Sequence, residues 1–409
     1  MAVLQEERRL RAGALCSLCG LHGGGSAFDI SLYREKLSAD DYGVCSLAGK
    51  LGHGCVGTEG YLMRVLMIGP ARCVHGGISG VVNNYYEAGL DRKISLRYIG
   101  TMVEGGKFRK LLKAGTAYLH FLLVLPHYDI VHVNMASDNS YRRKSFFIRT
   151  AKRFHKKIVI HQHGGDFETF YHQEQDEKGR EKIRRVLSMG DAFLVLAPVW
   201  REFFGELIGR EKITVLPDSI AVPAAFEKDY DNHEVLFLGR LCREKGIGEL
   251  LACVPALARR FPDFHLYLGG IWEDETLKEE AAKDPAHITW LGWVSGEEKI
   301  QCLRRCRILT LPSYFEGQSI SLLEAMAYYC GIIATDTGGI PQMILPEETG
   351  LLVPVKDAPA LETALLRLLE DEDLCRRLGS AARKKVAAEF GIEENMRTLL
   401  GIYEKVLGR

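Results

Sequence analysis

Beyond residue 62 the chain alternates between short apolar runs and longer stretches in which apolar residues recur every three or four positions. The runs RVLMIG (64–69), SLRYIG, YDIVHVN (128–134), KIVIHQHGG (157–165) and DAFLVLAP (191–198) read as strands buried on both faces. The passage ITVLPDSIAVPAAFEKDYDNHE is polar and carries prolines, which predicts the end of one domain and the start of another. The pattern then restarts with VLFLGR (235–240), FHLYLGG (264–270), ITWLGW (288–293), RILTLPS (307–313), GIIATD (331–336) and GLLVP. Strands that alternate with helices build parallel sheets covered on both sides. The expected fold class is therefore α/β, with two doubly wound Rossmann-like domains, 63–222 and 223–393, facing a cleft. A last helix from about Glu394 to Leu407, in segment 394–409, is expected to pack back onto the first domain.

Residues 1–62 lack a sustained period and read as an N-terminal extension, disordered or non-native. Cys16 and Cys19 form a CxxC, with Cys45, His53 and Cys55 further on, but the second close pair of a structural zinc site is missing, so no metal is expected there.

Composition narrows the picture. A chain of 409 residues, 47% hydrophobic and 26% charged, can bury two full cores. Formal net charge is zero, so no global field favours nucleic acid. The balance is local: residues 91–157 hold 15 Lys and Arg against 4 Asp and Glu. The longest apolar stretch, AYLHFLLVLP (117–126), is far short of the ~20 residues of a membrane span. The mixed charges of the first ten residues do not resemble a signal peptide, which points to the cytoplasm and to reduced thiols for the 11 cysteines.

Chemistry concentrates in PSYFEGQSISLLEAMAYYCGIIATDTGGIP (312–341). Glu316 is placed in a loop at a strand's carboxyl end, and Glu324 about one and a half turns into the helix that follows. Between them lie the free amides of a helix amino end, a ready anion site. A nucleotide sugar, with sugar, diphosphate and ribose in series, would engage all three in order. Ser321 and Glu324 also fit a helix capping box, which needs no ligand. Arg240, directly after a strand, and Lys245, ahead of a helix, can neutralise a diphosphate leaving group, or can simply belong to a solvated charged loop. Gly76, Gly77 and Gly80 follow the first strand and allow close backbone approach to an anion, although they do not make the GxGxxG dinucleotide fingerprint.

Taken together, GGISG, HQHGGDF, GRLCREKG, PSYFEGQSISLLEAMA, TGGIPQMI and GLLVP resemble the retaining glycosyltransferases of the GT-B fold, the glycosyl transferase group 1 family (family 4). The resemblance implies that Glu316 is the first glutamate of an E-x7-E motif, near the donor sugar, and Glu324 the second, holding the ribose. It implies donor diphosphate binding by Arg240 and Lys245, contact of His163 with the transferred sugar, and amides from Gly317, Gln318 and Ser319 on the phosphate. Gly76 and Gly77 match the loop that closes over the phosphate and acceptor side. The expected partners are a UDP- or GDP-linked sugar and a glycan or lipid-diphosphate-linked acceptor, in cell-surface polysaccharide synthesis, with no cofactor. Three departures stand out: Tyr329 occupies the family's usual glycine, Gly331 the place of its proline, and Asp218 a place where Asn is frequent.

Neither DYD (229–231) nor DED (371–373) is placed to hold a divalent ion, so no metal is expected at the site. The alternatives are a GT-B nucleotide-sugar epimerase, which would release free nucleotide without an acceptor, and a non-catalytic sugar-nucleotide-binding protein. The basic stretches GGKFRKLLKAGTAYLHFLLVL and SYRRKSFFIRTAKRFHKK combine cations with apolar residues at helical spacing. They predict salt-sensitive, peripheral attachment to an anionic membrane surface at its inner face, against the simpler reading of ordinary helices whose apolar faces are buried.

Overall fold

A computed structural model describes residues 63–409, and the CxxC of Cys16 and Cys19 with its neighbours lies outside the described residues. Two parallel six-stranded sheets form the frame. The first contains β1 (Arg64–Gly69), β2 (Ser95–Gly100), β3 (Ile130–Met135), β4 (Lys157–Gln162), β5 (Ala192–Val195) and β6 (Ile213–Val215). The second contains β7 (Glu234–Leu238), β8 (His265–Gly269), β9 (Ile288–Gly292), β10 (Ile308–Leu311), β11 (Gly331–Thr335) and β12 (Leu351–Val353). Their orders are β2-β1-β3-β4-β5-β6 and β12-β11-β10-β7-β8-β9. The strand order therefore reverses beside β1 in one sheet and between β7 and β10 in the other. Loops leaving the carboxyl ends of two such strands diverge to opposite faces and open a crevice, which is where ligands of doubly wound folds bind.

Strand β6 corrects the sequence reading, which took its residues as the start of a linker. Its three residues sit just ahead of Pro217, yet they pair in parallel with β5, Phe193 opposite Ile213. Burial on both faces explains the central apolar runs, since all six residues of β3 and all five of β11 are buried, but β2, also read as buried on both faces, is an edge strand in which only Ile99 is buried.

Five helices bear on the site: α1 (Gly77–Glu87), α2 (Lys107–Val124), α3 (Asp138–Arg153), α4 (Ile320–Ala327) and α5 (Ile392–Leu407). Helix α5 packs onto the first sheet beside α1, where Met396, Leu399 and Tyr403 share a core with Val81, Tyr85, Met67 and Val159. Its polar side is tied as well, since the Tyr85 hydroxyl donates to Asn395 Oδ1 at 2.7 Å and Asn395 Nδ2 donates to the Pro217 carbonyl at 2.5 Å. The two passages between the sheets run side by side, with the Ile220 amide donating to the Phe390 carbonyl and the Ile392 amide to the Ile220 carbonyl, both at 3.0 Å.

At the end of α4, Tyr329 adopts φ +60°, the left-handed region that glycine enters freely. The strain, about 1 kcal/mol, is offset by its ring, which meets Phe226 edge-on at 5.3 Å and lies 4.7 Å from the Arg383 guanidinium. The tyrosine thus occupies a backbone position suited to glycine and is held there by aromatic and cationic neighbours.

Candidate active site

A cavity of about 260 Å³ opens between the carboxyl ends of the two sheets. From the first half it is lined by the loop after β1, with His75, Gly76 and Gly77. From the second half it receives Arg240 and Lys245 from the loop after β7, Glu316 and Gln318 from the loop after β10, and Ser319 and Glu324 from the start of α4. Arg240 and Glu316 therefore come from the two strands between which the second sheet reverses its order.

The charged groups are arranged in pairs. Lys245 Nζ donates to Glu316 Oε1 at 2.5 Å, and the Ser313 hydroxyl donates to the same oxygen at 2.8 Å. Lys299 Nζ donates to Glu324 Oε1 at 2.6 Å. Burial favours the protonated form of Glu324 and raises its pKa, and the Lys299 ammonium opposes that shift. Arg240 pairs with Glu273 at 2.8 Å, but both side chains are half exposed, so the pair is screened and the guanidinium can exchange it for an anion in the cavity.

Helix α4 is capped by Ser319, whose Oγ accepts from the Leu322 amide at 3.4 Å. That corrects the capping-box reading: the cap lies two residues before Ser321, and Glu324 is free of a capping role. The amino end of α4 points its amides and positive dipole toward the cavity between the two glutamates.

His163 and Gly317 lie apart from this lining. The His163 side chain is buried beneath the cleft, with Nε2 2.9 Å from Asn134 Oδ1 and Nδ1 3.1 Å from Asp218 Oδ1. Burial pushes Asp218 up to about 8 and His163 down to about 3. With both neutral at pH 7, the Asp218 hydroxyl donates to Nδ1 and the Nε2 proton goes to Asn134. The Asp218 amide in turn donates to Gln318 Oε1 at 2.6 Å, linking this pair to the loop of Glu316. Gly317 meets Gly165, where a Cβ on Gly165 would stand 2.6 Å from the Gly317 nitrogen.

Among the described residues, His161, His163 and Asp218 place possible metal-binding atoms within 4.8 Å of one another. Both His163 nitrogens are already engaged by Asn134 and Asp218, whereas the two buried His161 nitrogens have no hydrogen-bond partner among the described residues. Two groups at the site escaped the sequence reading, Lys299 and Trp293, whose ring lies 4.3 Å from that of His75 across the cavity, and Asp218 was read only as a departure from the family pattern, with no role. Trp293 carried a signal, an aromatic residue just past the carboxyl end of a strand, whereas nothing local marks Lys299 among the charges of its helix.

The Asp218–His163 pair predicts a particular pH response. Asp218 holds its proton in the folded chain up to about 8 but loses it near 3.8 when unfolded, so its contribution to stability falls as pH rises through that window. His163 acts oppositely between its usual 6.5 and about 3, because only the unfolded chain binds the proton there. The two slopes cancel where they overlap and leave Asp218 alone between pH 6.5 and 8. Relative to Asp218→Asn, the parent protein should lose about 1.4 kcal/mol per pH unit over that range in urea denaturation. Parallel stability curves for the two proteins would mean that Asp218 is ionised throughout.

Residues 219–385 match the family described as Glycosyl transferases group 1. The chain is 35% identical over 156 residues to a phosphatidyl-myo-inositol mannosyltransferase of Mycolicibacterium smegmatis, covering 37% of this chain and 40% of that one. It is 32% identical over 206 residues to an alpha-maltose-1-phosphate synthase of the same organism, covering 46% and 52%. The chain thus spans about half the length of the curated relatives it matches. Among solved structures, a sucrose-phosphate synthase from Thermosynechococcus elongatus superposes with a TM-score of 0.69 at 20% identity, covering 85% of this chain and 99% of that one. Anabaena HepE in complex with UDP superposes with 0.67 at 14%, covering 84% and 100%. The fold is GT-B.

Proposed function

From the membership of residues 219–385 in the group 1 glycosyl transferases, we propose that this protein moves a sugar from a nucleotide sugar to a glycan or lipid-linked acceptor, with retention of configuration. The observation that carries this reading is that Glu316, the capped amino end of α4 and Glu324 follow one another along one strand–loop–helix unit lining the cavity, each glutamate paired with a lysine, and can meet the sugar, diphosphate and ribose of such a donor in turn.

Glu316 accepts hydrogen bonds from the donor sugar, and Glu324 from the ribose hydroxyls. In the transfer step the bond from the sugar's anomeric carbon to the diphosphate breaks and one to the acceptor oxygen forms on the same face. The acceptor's proton goes to the departing phosphate. Negative charge grows on that phosphate, where Arg240, Lys245 and the α4 amides are fixed, so the site is complementary to the transition state rather than to the bound donor. With those cations in place no metal is required for this role. His163 is kept neutral by burial and oriented beneath the transferred sugar by Asn134 and Asp218.

A UDP-linked donor is favoured by the neighbours that bind UDP and UDP-glucose, and a lipid-linked acceptor by the relative named for phosphatidyl-myo-inositol. Work on such an acceptor would place the protein at the cytoplasmic face of a membrane. No helix among the described residues is long and apolar enough to cross one.

Incubating the purified protein with a panel of UDP- and GDP-sugars, with and without polyprenyl phosphate and diphosphate acceptors, tests the proposal. Thermal stabilisation by one donor and acceptor-dependent release of nucleoside diphosphate are expected. Release of free nucleotide without an acceptor would instead indicate an epimerase, and stabilisation without turnover a binding protein.

Glu324→Ala isolates the ribose contact. It removes a charge-assisted acceptor and strands the Lys299 ammonium, and should weaken donor binding by about 1.5–3 kcal/mol, a rise in Kd of roughly 10- to 150-fold. Calorimetric titration with the nucleoside diphosphate alone should show the same loss. An unchanged Kd would remove Glu324 from the donor site.

A further inference from the structure

Thirteen large apolar side chains are strongly exposed among the described residues, and five of them lie on the 18-residue helix α2. Phe108, Leu112, Leu119 and Leu123 fall at intervals of four, seven and four, so they line one face at the helical period. Leu111 borders that face, and all five are 58–80% exposed. The face looks away from the protein, because Ala117 and Phe121 hold the opposite side of α2 in the core, with the Phe121 ring 5.0 Å from Phe147 of α3. Helix α2 is therefore apolar on two sides, and among the described residues only one is covered.

Its neighbour continues the surface. Helix α3 leans against α2 through Tyr118, whose hydroxyl lies 2.7 Å from Thr150 Oγ1. Outward from α3 stands Phe146, 60% exposed, on the helical stripe of Arg142, Arg149 and Arg153. Helix α2 adds Lys107, Arg109, Lys110 and Lys113 and contains no acid, and α3 contains one, Asp138 in its first turn. Lys144 is excluded from this surface: it is buried and donates to Ser140 Oγ at 2.8 Å.

We propose that the α2–α3 face is the surface by which this protein docks on an anionic lipid bilayer, with α2 lying in the plane of the headgroups and its outward apolar side among the acyl chains. A second copy of the chain would bring two basic faces together, and an acidic protein would leave the apolar face without a depth to enter. An anionic bilayer supplies both complements, since headgroups pair with the flanking Lys and Arg while Phe and Leu leave water. The position also suits the site. Glu104, three residues before α2, accepts from the His75 amide at 3.0 Å, and His75 lines the donor cavity, so docking brings the cleft to the membrane surface. The proposal rests on the lipid-linked acceptor reading above and names the surface that would serve it.

Co-sedimentation of the full chain with vesicles of phosphatidylglycerol and phosphatidylcholine, against phosphatidylcholine alone, tests it. Binding at least tenfold stronger to the anionic vesicles, weakening with salt, is expected. Combined Phe108→Ser, Leu112→Ser, Leu119→Ser and Leu123→Ser should lower that partitioning at least tenfold while thermal stabilisation by the nucleotide sugar stays unchanged. A separate Phe108→Trp variant should show a blue-shifted emission on the anionic vesicles, which adsorption by charge alone would not produce. Equal binding to both vesicle types, retained binding by the serine variant, or an unshifted emission would each overturn the proposal. So would a parent dimer that the serine substitutions dissociate, which would assign the face to a second copy. A protein that docks but transfers no sugar would leave this surface standing and defeat the functional reading, and the converse result would do the reverse.

Discussion

Lys245→Ala should lower kcat by two to three orders of magnitude while changing donor affinity far less. Two effects act in the same direction. The substitution removes a fixed cation from the place where charge develops on the departing phosphate, a loss worth roughly 10²–10³ in rate for a single preorganised donor. It also leaves the Glu316 carboxylate, 11% exposed, with only the Ser313 hydroxyl among its hydrogen-bond donors, so the carboxylate loses the partner that holds it toward the sugar hydroxyls. Lys245→Arg keeps the charge but not the compact ammonium that fits against Glu316, and should recover only part of the rate. Steady-state kinetics separate the possibilities. If KM rises with kcat intact, Lys245 serves ground-state binding alone and the leaving-group role must move to Arg240.

Gly165→Ala should be nearly as damaging without touching a charged group. The backbones of Gly165 and Gly317 meet where the loop after β4 faces the loop after β10. A Cβ added at Gly165 would lie 2.6 Å from the Gly317 nitrogen and 2.7 Å from Phe315 Cε1. Two of its close neighbours are backbone atoms that cannot rotate aside, so the loops must separate. His163, two residues before Gly165, would then be displaced relative to Glu316. A misplacement of about 1 Å can cost on the order of 10² in rate. The expected signature is a fall in kcat of roughly that size with an unchanged Kd for the nucleoside diphosphate, because the ion pairs of the donor site all lie on the second half. Parallel losses in Kd and kcat would show that the contact instead shapes the donor pocket.

The frame was legible in the sequence because central strands buried on both faces are largely apolar, and the edge strands β2 and β9, mostly not buried, still read as strands from their β-branched and aromatic residues; β6 hid because three residues ahead of a proline look like the end of something. The glutamates were legible for a local reason: both sit within one strand–loop–helix unit, so their spacing alone positions them. Asp218 and Lys299 were not, since each takes its role from a partner far along the chain, His163 at 3.1 Å and Glu324 at 2.6 Å. The outward face of α2 was ambiguous for another reason. Periodicity reports that Phe108, Leu112, Leu119 and Leu123 share a side and that Ala117 and Phe121 share another, but not which side the sheet will take.

The return of α5 to the first sheet bears on how the molecule is born. During synthesis the strands of the first half leave the ribosome early, yet the pocket for Met396, Leu399 and Tyr403 beside Val81, Tyr85 and Val159 stays unfilled until residues 392–407 have been made. For the time it takes to translate the second half, ~10–30 s at 5–20 residues per second, the nascent first half exposes that apolar floor, a surface on which chaperones act and misassembly begins. Adding a peptide of residues 392–407 to a stalled or truncated first half should close it.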